Sequence, residues 1–178
     1  MSIAATIGMA ALENDLYLKQ AEVHGMSQRG GAVQSHMRLS DKEIFSDLIP
    51  KGSADIILSV EPMESLRYLP YLSPDGWLVT NTRAYRNISE YPDEQEVLGE
   101  IRKYKKYIAL DANDIASEIG SNRSSNIVML GAASPFFQIP FESFKEGLRK
   151  IFARKGDKVI DVNIQALEAG RAFADKNM

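Results

Sequence analysis

The residues best equipped for chemistry in this chain lie close together, in the run EVHGMSQRGGAVQSH from Glu22 to His36. Gly25, Gly30 and Gly31 free the backbone for left-handed turns and present bare N–H groups. His24, Ser27 and Gln28 add hydrogen-bonding side chains, and Arg29 adds a planar cation matched to a carboxylate or phosphate. A hairpin connection needs one or two turn residues, so this loop carries more polar equipment than a turn requires. The chemistry it implies is a contact with an anion or a partner, and it names no reaction. A glycine-rich turn that happens to be polar is the plainer reading of the same residues.

A second set of candidates follows from strand endings. Open α/β sheets meet their ligands beyond the carboxyl ends of the parallel strands. Glu61, Asn81 with Thr82, and Asp111 each follow a short apolar run. Polar residues at such places also serve as plain helix caps.

Other chemistries are excluded by residue type and spacing. There is no G-x-x-x-x-G-K-[ST] phosphate loop and no G-x-G-x-x-G dinucleotide fingerprint. GMSQR departs from a nucleophile elbow at Arg29, where the strained turn requires glycine. With no cysteine, the chain forms no disulfide, offers no thiol nucleophile and holds no iron–sulfur cluster through thiolates. His24 and His36, the two histidines, make no metal site by themselves. A triad built on Ser27 with either of them needs an orienting acid that the sequence does not indicate.

The elements that position these residues can be read from periodicity. The chain has 178 residues, 44% hydrophobic and 25% charged, with a net charge of −3, the profile of one globular domain over residues 1–178. That charge gives no long-range attraction for nucleic acid or an anionic membrane. The apolar run Ile3 to Leu12 lacks the basic residues of a signal peptide and is too short to cross a bilayer. It reads as a small-residue helix, and the expected location is the cytoplasm.

Two alternating segments follow, Tyr17 to Val23 and Ala32 to Leu39, each with a polar face. The loop between them is too short for a parallel crossover, so their pairing is expected to be antiparallel. Then come apolar strands, each followed by a helix: ADIILSV with EPMESLRYLPYL, GWLVTN with PDEQEVLGEIRKY, and KYIAL with DANDIASEIG. In the second of these helices Pro92 suits the first helical position. The last third reads as three helices, with a break at Gly156 before the final one. The expected class is α/β: a Rossmann-like three-layer fold with a mixed, mainly parallel sheet and carboxyl-terminal helices.

The run EVHGMSQRGGAVQSHMRLSD resembles the signature of the gamma domain of 2-oxoacid:ferredoxin oxidoreductases, the indolepyruvate enzymes in particular. The resemblance continues through VEPMESLRYLPYLSPDGWLVTNT and NIVMLGA, and so covers nearly the whole chain. It implies a subunit of an enzyme that converts a 2-oxoacid and coenzyme A to acyl-coenzyme A and CO2 and reduces ferredoxin. It places thiamine diphosphate, Mg and the [4Fe-4S] clusters on a thiamine-binding alpha subunit, which leaves this chain with no firmly bound cofactor and inactive alone. Carried onto this sequence, the expected contacts with substrate, coenzyme A or the partner subunit are His24, Gly25, Ser27, Gln28, Arg29, Gly30 and Gly31, with Glu61, Asn81 and Asn126 behind them. The resemblance also implies a strand and a glycine-rich loop ahead of the first helix. The slot of that strand is expected to be filled by other residues or closed by the sheet in another way. A homodimer is expected of the isolated chain. The other reading is a stand-alone Rossmann-like module that grips an anionic small molecule or a protein.

Overall fold

A computed structural model describes residues 3–24, 33–86 and 90–178. Helix α1, Ile3–Leu12, is built from small and aliphatic residues, and its buried side includes Ile7, Ala10 and Ala11. Its small side chains allow close approach to helix α6, Phe141–Phe152. A Cβ on Gly147 of α6 would lie 3.2 Å from the Thr6 carbonyl oxygen.

Strands β1, Tyr17–His24, and β2, Val33–Ser40, pair antiparallel over eight rungs, from Tyr17 opposite Ser40 to His24 opposite Val33. The alternation has the physical consequence expected of it. Leu18, Met37 and Leu39 share one face and pack against the core, while Lys19 and Arg38 share the other.

Three β–α units follow. Strand β3, Ala54–Ser59, leads into α2, Pro62–Arg67; β4, Leu72–Asn81, precedes α3, Glu94–Ile101; β5, Tyr107–Leu110, leads into α4, Ala112–Glu118. The three strands form a parallel sheet in the order β3-β4-β5. Leu78 and Val79 of the central strand are 0% exposed, as a strand covered on both faces requires. Pro92 does not open α3. Asp93 caps that helix instead, its carboxylate accepting the Gln95 and Glu96 N–H groups at 2.9 and 3.2 Å, and the acidic residues beside it complement the helix dipole.

The carboxyl-terminal helices are α5, Ser125–Ala133, then α6, then α7, Asp157–Asn177. Gly156 adopts φ +87° between the last two, a left-handed conformation that favours glycine. Helices α5 and α7 cross in backbone contact at Gly131 and Gly170, and every residue from Ile127 to Ala133 is buried.

The fold is thus α/β with a parallel sheet and a helical carboxyl-terminal third. Its strands form two sheets: β1-β2 and β3-β4-β5 share no ladder among the described residues. The expected closure of the sheet by another route does not occur in the described residues, and a groove runs between β2 and β3.

Candidate functional site

The groove has a volume of about 630 Å3, within the range of small-molecule and cofactor sites. One wall is the start of β2, Val33 to His36, and the other is β3 along most of its length. The groove opens at its far end onto the carboxyl ends of β3 and β4, where Glu61, Asn81, Asn113 and Asn126 line it.

That end is organised by Asn81, which is 6% exposed. Its amide oxygen accepts the Ala112 N–H at 3.1 Å and the Arg83 N–H at 3.4 Å. Its amide nitrogen donates to the Val60 carbonyl at 3.3 Å and to Asn113 Oδ1 at 2.9 Å. One side chain therefore ties the end of β4 to the segments leaving β3 and β5. All of its hydrogen-bonding capacity toward the groove is met within the protein.

Glu61 does two things at once. It caps α2, with Oε2 accepting the Glu64 N–H at 2.8 Å, and its Oε1 accepts a very short hydrogen bond from the Tyr91 hydroxyl. Ser59 Oγ donates to the Glu61 carbonyl at 2.6 Å and fixes the turn between strand and helix. Asp111 caps α4 through the Asn113 and Asp114 N–H groups. Arg83 then bridges Asp111 and Asp114 at 3.3 and 2.6 Å. Two of the three strand-end candidates are thus helix caps, and the third is a brace. Asn126 stands in the first turn of α5, exposed, on the rim of the groove.

Tyr91 carries the clearest electrostatic perturbation here. Burial first, and then its hydrogen bond to and the charge of Glu61, push the phenol pKa well above the usual tyrosine value. Because the folded value exceeds the unfolded value of about 10, this contact adds stability that is complete below that pH and drains away as pH rises past it. A spectrophotometric titration of the seven tyrosines is expected to show one lagging phenol that Tyr91→Phe removes; an unchanged curve for the variant would contradict the assignment. The sequence reading missed Tyr91 because it stands in an irregular segment after β4, with no period to mark it.

His36 is buried at the other end of the groove. Its Nδ1 accepts the Ile49 N–H at 2.9 Å, and its Nε2 lies 2.6 Å from the Gln34 side-chain amide nitrogen. Tyr71 meets the ring edge-on, with centroids 5.3 Å apart. His36 therefore pins the segment after β2. His24 ends β1 by its backbone, and Gly25, Ser27, Gln28, Arg29, Gly30 and Gly31 lie outside the described residues. Among the described residues no group of three or more His, Cys, Asp or Glu is placed to hold a metal ion. No helix among them is long and apolar enough to cross a membrane.

Comparison with known proteins bears on what such a groove serves. Residues 1–173 match the model of the pyruvate ferredoxin/flavodoxin oxidoreductase family. The chain is 37% identical to the indolepyruvate oxidoreductase subunit IorB of Thermococcus kodakarensis and 34% identical to that of Archaeoglobus fulgidus. Each match covers 96% of this chain and 87% of the relative. The fold is similar to part of a 2-oxoglutarate:ferredoxin oxidoreductase from Magnetococcus marinus, solved with 2-oxoglutarate, coenzyme A and succinyl-CoA bound. That likeness has a TM-score of 0.74 at 23% identity, and it spans 99% of this chain and 29% of the other.

Proposed function

The chain belongs to the pyruvate ferredoxin/flavodoxin oxidoreductase family, and from that premise we propose that it is a small subunit of a 2-oxoacid:ferredoxin oxidoreductase of the indolepyruvate type. The observation that carries the reading is its identity with two IorB subunits across almost its whole length. In this reading the complex converts a 2-oxoacid and coenzyme A to acyl-coenzyme A and CO2 and passes the electrons to ferredoxin.

The chain's own contribution is positional. As the resemblance implies, thiamine diphosphate, Mg and [4Fe-4S] belong to the alpha partner in this reading and ferredoxin meets this chain only indirectly, which agrees with a sequence that has no cysteine to ligate a cluster. The 178 residues act as one domain, a soluble cytoplasmic unit that is inactive alone and pairs with itself when isolated. The loop from His24 to Gly31 makes the contact with the partner or with coenzyme A, and Glu61, Asn81 and Asn126 shape the strand-end side of the site.

Reconstitution tests this. The chain is combined with its thiamine-binding partner without oxygen, and ferredoxin reduction is followed with indolepyruvate, pyruvate or 2-ketoisovalerate. The expected result is a rate that needs both chains and coenzyme A and is fastest with indolepyruvate. A rate no higher than that of the partner alone would refute the role, and a preference for another acid would correct the substrate.

A further inference from the structure

Residues 41–50 lead away from β2 without forming helix or strand, yet side chains of β2 hold them along their length. Ser40 Oγ accepts the Lys42 N–H at 2.9 Å, Arg38 donates to the Ser46 carbonyl at 3.0 Å, and His36 accepts the Ile49 N–H. Within the segment, Ser46 Oγ accepts the Leu48 N–H at 3.3 Å. Ile44 is tucked in, only 6% exposed. The segment is a strap with a fixed course.

What the strap displays is apolar. Phe45 is 87% exposed, the most of any large hydrophobic side chain among the described residues, and Leu48 is 55% exposed. Single apolar side chains scattered over a surface need no explanation. Here two of them share one strap, and the hydrogen bonds that fix its course keep it from turning to hide them. Around them the charge is negative: Asp41, Glu43 and Asp47 are exposed, and Lys42 is the one cation of residues 41–50. None of the three carboxylates is ion-paired among the described residues.

We propose that this strap is a docking anchor for the partner subunit: Phe45 and Leu48 enter an apolar pocket on that subunit, and Asp41, Glu43 and Asp47 meet lysine and arginine side chains around its mouth. The contact rests on the reading of the chain as a small subunit, and it lies outside the loop from His24 to Gly31. The occupant follows from how the fold is used elsewhere. In the Magnetococcus chain the same fold is 29% of one longer polypeptide, whose backbone keeps it close to the rest at high effective concentration. The IorB subunits, matched over 87% of their length, are short chains with no room for such a tether. A subunit of that kind is held by contact alone, and contact free energy comes mainly from a few well-packed anchors inside a polar ring. A strap already fixed before binding also loses little entropy on docking. A second copy of this chain fits worse, because a two-fold contact would set one acidic strap against another.

The test uses the full chain and its thiamine-binding partner, the latter immobilised for biolayer interferometry without oxygen. The parent chain is expected to bind saturably, with an affinity that falls as salt rises. Phe45→Ala is expected to weaken binding about thirtyfold, the worth of one buried aromatic side chain, and Asp47→Lys about tenfold, mainly through a slower on-rate. Both side chains are exposed, so neither variant is expected to move the melting temperature by more than about 2 °C. Leu12→Ala, which trims a side chain 67% exposed at the end of α1, leaves binding unchanged. Phe45→Ala binding as tightly as the parent, a loss matched by Leu12→Ala, or an affinity indifferent to salt would overturn the docking surface alone. A parent chain that does not bind the partner would overturn the subunit reading together with it. Self-association of the lone chain in sedimentation equilibrium that Phe45→Ala abolishes would assign the strap to a second copy and overturn the proposal.

Discussion

Gly170→Ala is expected to lower the stability of the chain by about 3 kcal/mol, the upper part of the usual range for overpacking. For a domain of this size that is a fall in melting temperature of about 6 to 12 °C. The reason lies in what one methyl group would meet. A Cβ on Gly170 would sit inside the contact distance of the Val128 carbonyl and 2.9 Å from the Ala132 nitrogen. Across the crossing, a Cβ on Gly131 would press on the Leu167 carbonyl and lie 3.0 Å from the Arg171 nitrogen. The obstacles are backbone atoms of helices, which no rotamer change can move aside. Only separation of α5 from α7 relieves the clash, and that unpacks Met129, Leu130 and Leu167, each at most 1% exposed.

Gly99→Ala supplies the contrast. It stands inside α3 with nothing within 4 Å of an added Cβ, so the same change is expected to raise stability by up to about 1 kcal/mol through helix propensity. Thermal unfolding followed by circular dichroism measures both. A Gly170→Ala chain that melts within about 2 °C of its parent, under 1 kcal/mol for this size, would show that the helices do not meet backbone to backbone.

The second large effect is expected at Asn81. Truncation to alanine strands the N–H of fully buried Ala112 and removes the link to Val60, at a cost of about 2 to 3 kcal/mol for an unsatisfied buried donor with lost packing. Asn81→Asp separates the parts of that role. Its carboxyl keeps an acceptor for Ala112, but when ionised it faces the Val60 and Asn113 oxygens with no donor to offer. Burial and those oxygens raise its folded pKa above the unfolded value of about 3.9, so stability declines as pH rises from that value. Denaturant unfolding is therefore expected to find Asn81→Asp closer to the parent at pH 5 than at pH 8, while Asn81→Ala shows the same deficit at both. Equal deficits for the aspartate variant at the two values would mean that the side chain does not brace the strand ends.

Much of this architecture can be read from the residues alone. Period-two alternation marks both strands of the hairpin to within one residue at each end, because one face is packed and the other wet. The helices after Gly156 and before it follow from breaks that no other residue type makes so easily. Local signals fail where two options satisfy the same rule. Pro92 and Asp93 both suit a helix start, and the hydrogen bonds to Gln95 and Glu96 decide for the cap.

The site is legible only in part. Glu61 and Asp111 can be located as polar residues past apolar strands, but whether such a residue caps, braces or binds depends on neighbours distant in sequence. Asn81 reaches Asn113 and Ala112 across more than thirty residues, and Tyr91 reaches Glu61 across thirty. The helix crossing does leave a trace, the small residues Ala166, Gly170 and Ala174 recurring every fourth position in α7. That stripe is silent about its partner, since it says nothing of which helix brings the matching glycine.

The hairpin of β1 and β2 shares no rung with the parallel strands. What couples it to β3, β4 and β5 is side-chain packing rather than a ladder: Leu18, Met37 and Leu39 enter the same core as Ile56 and Leu58, so cooperative melting of the whole chain depends on that shared core.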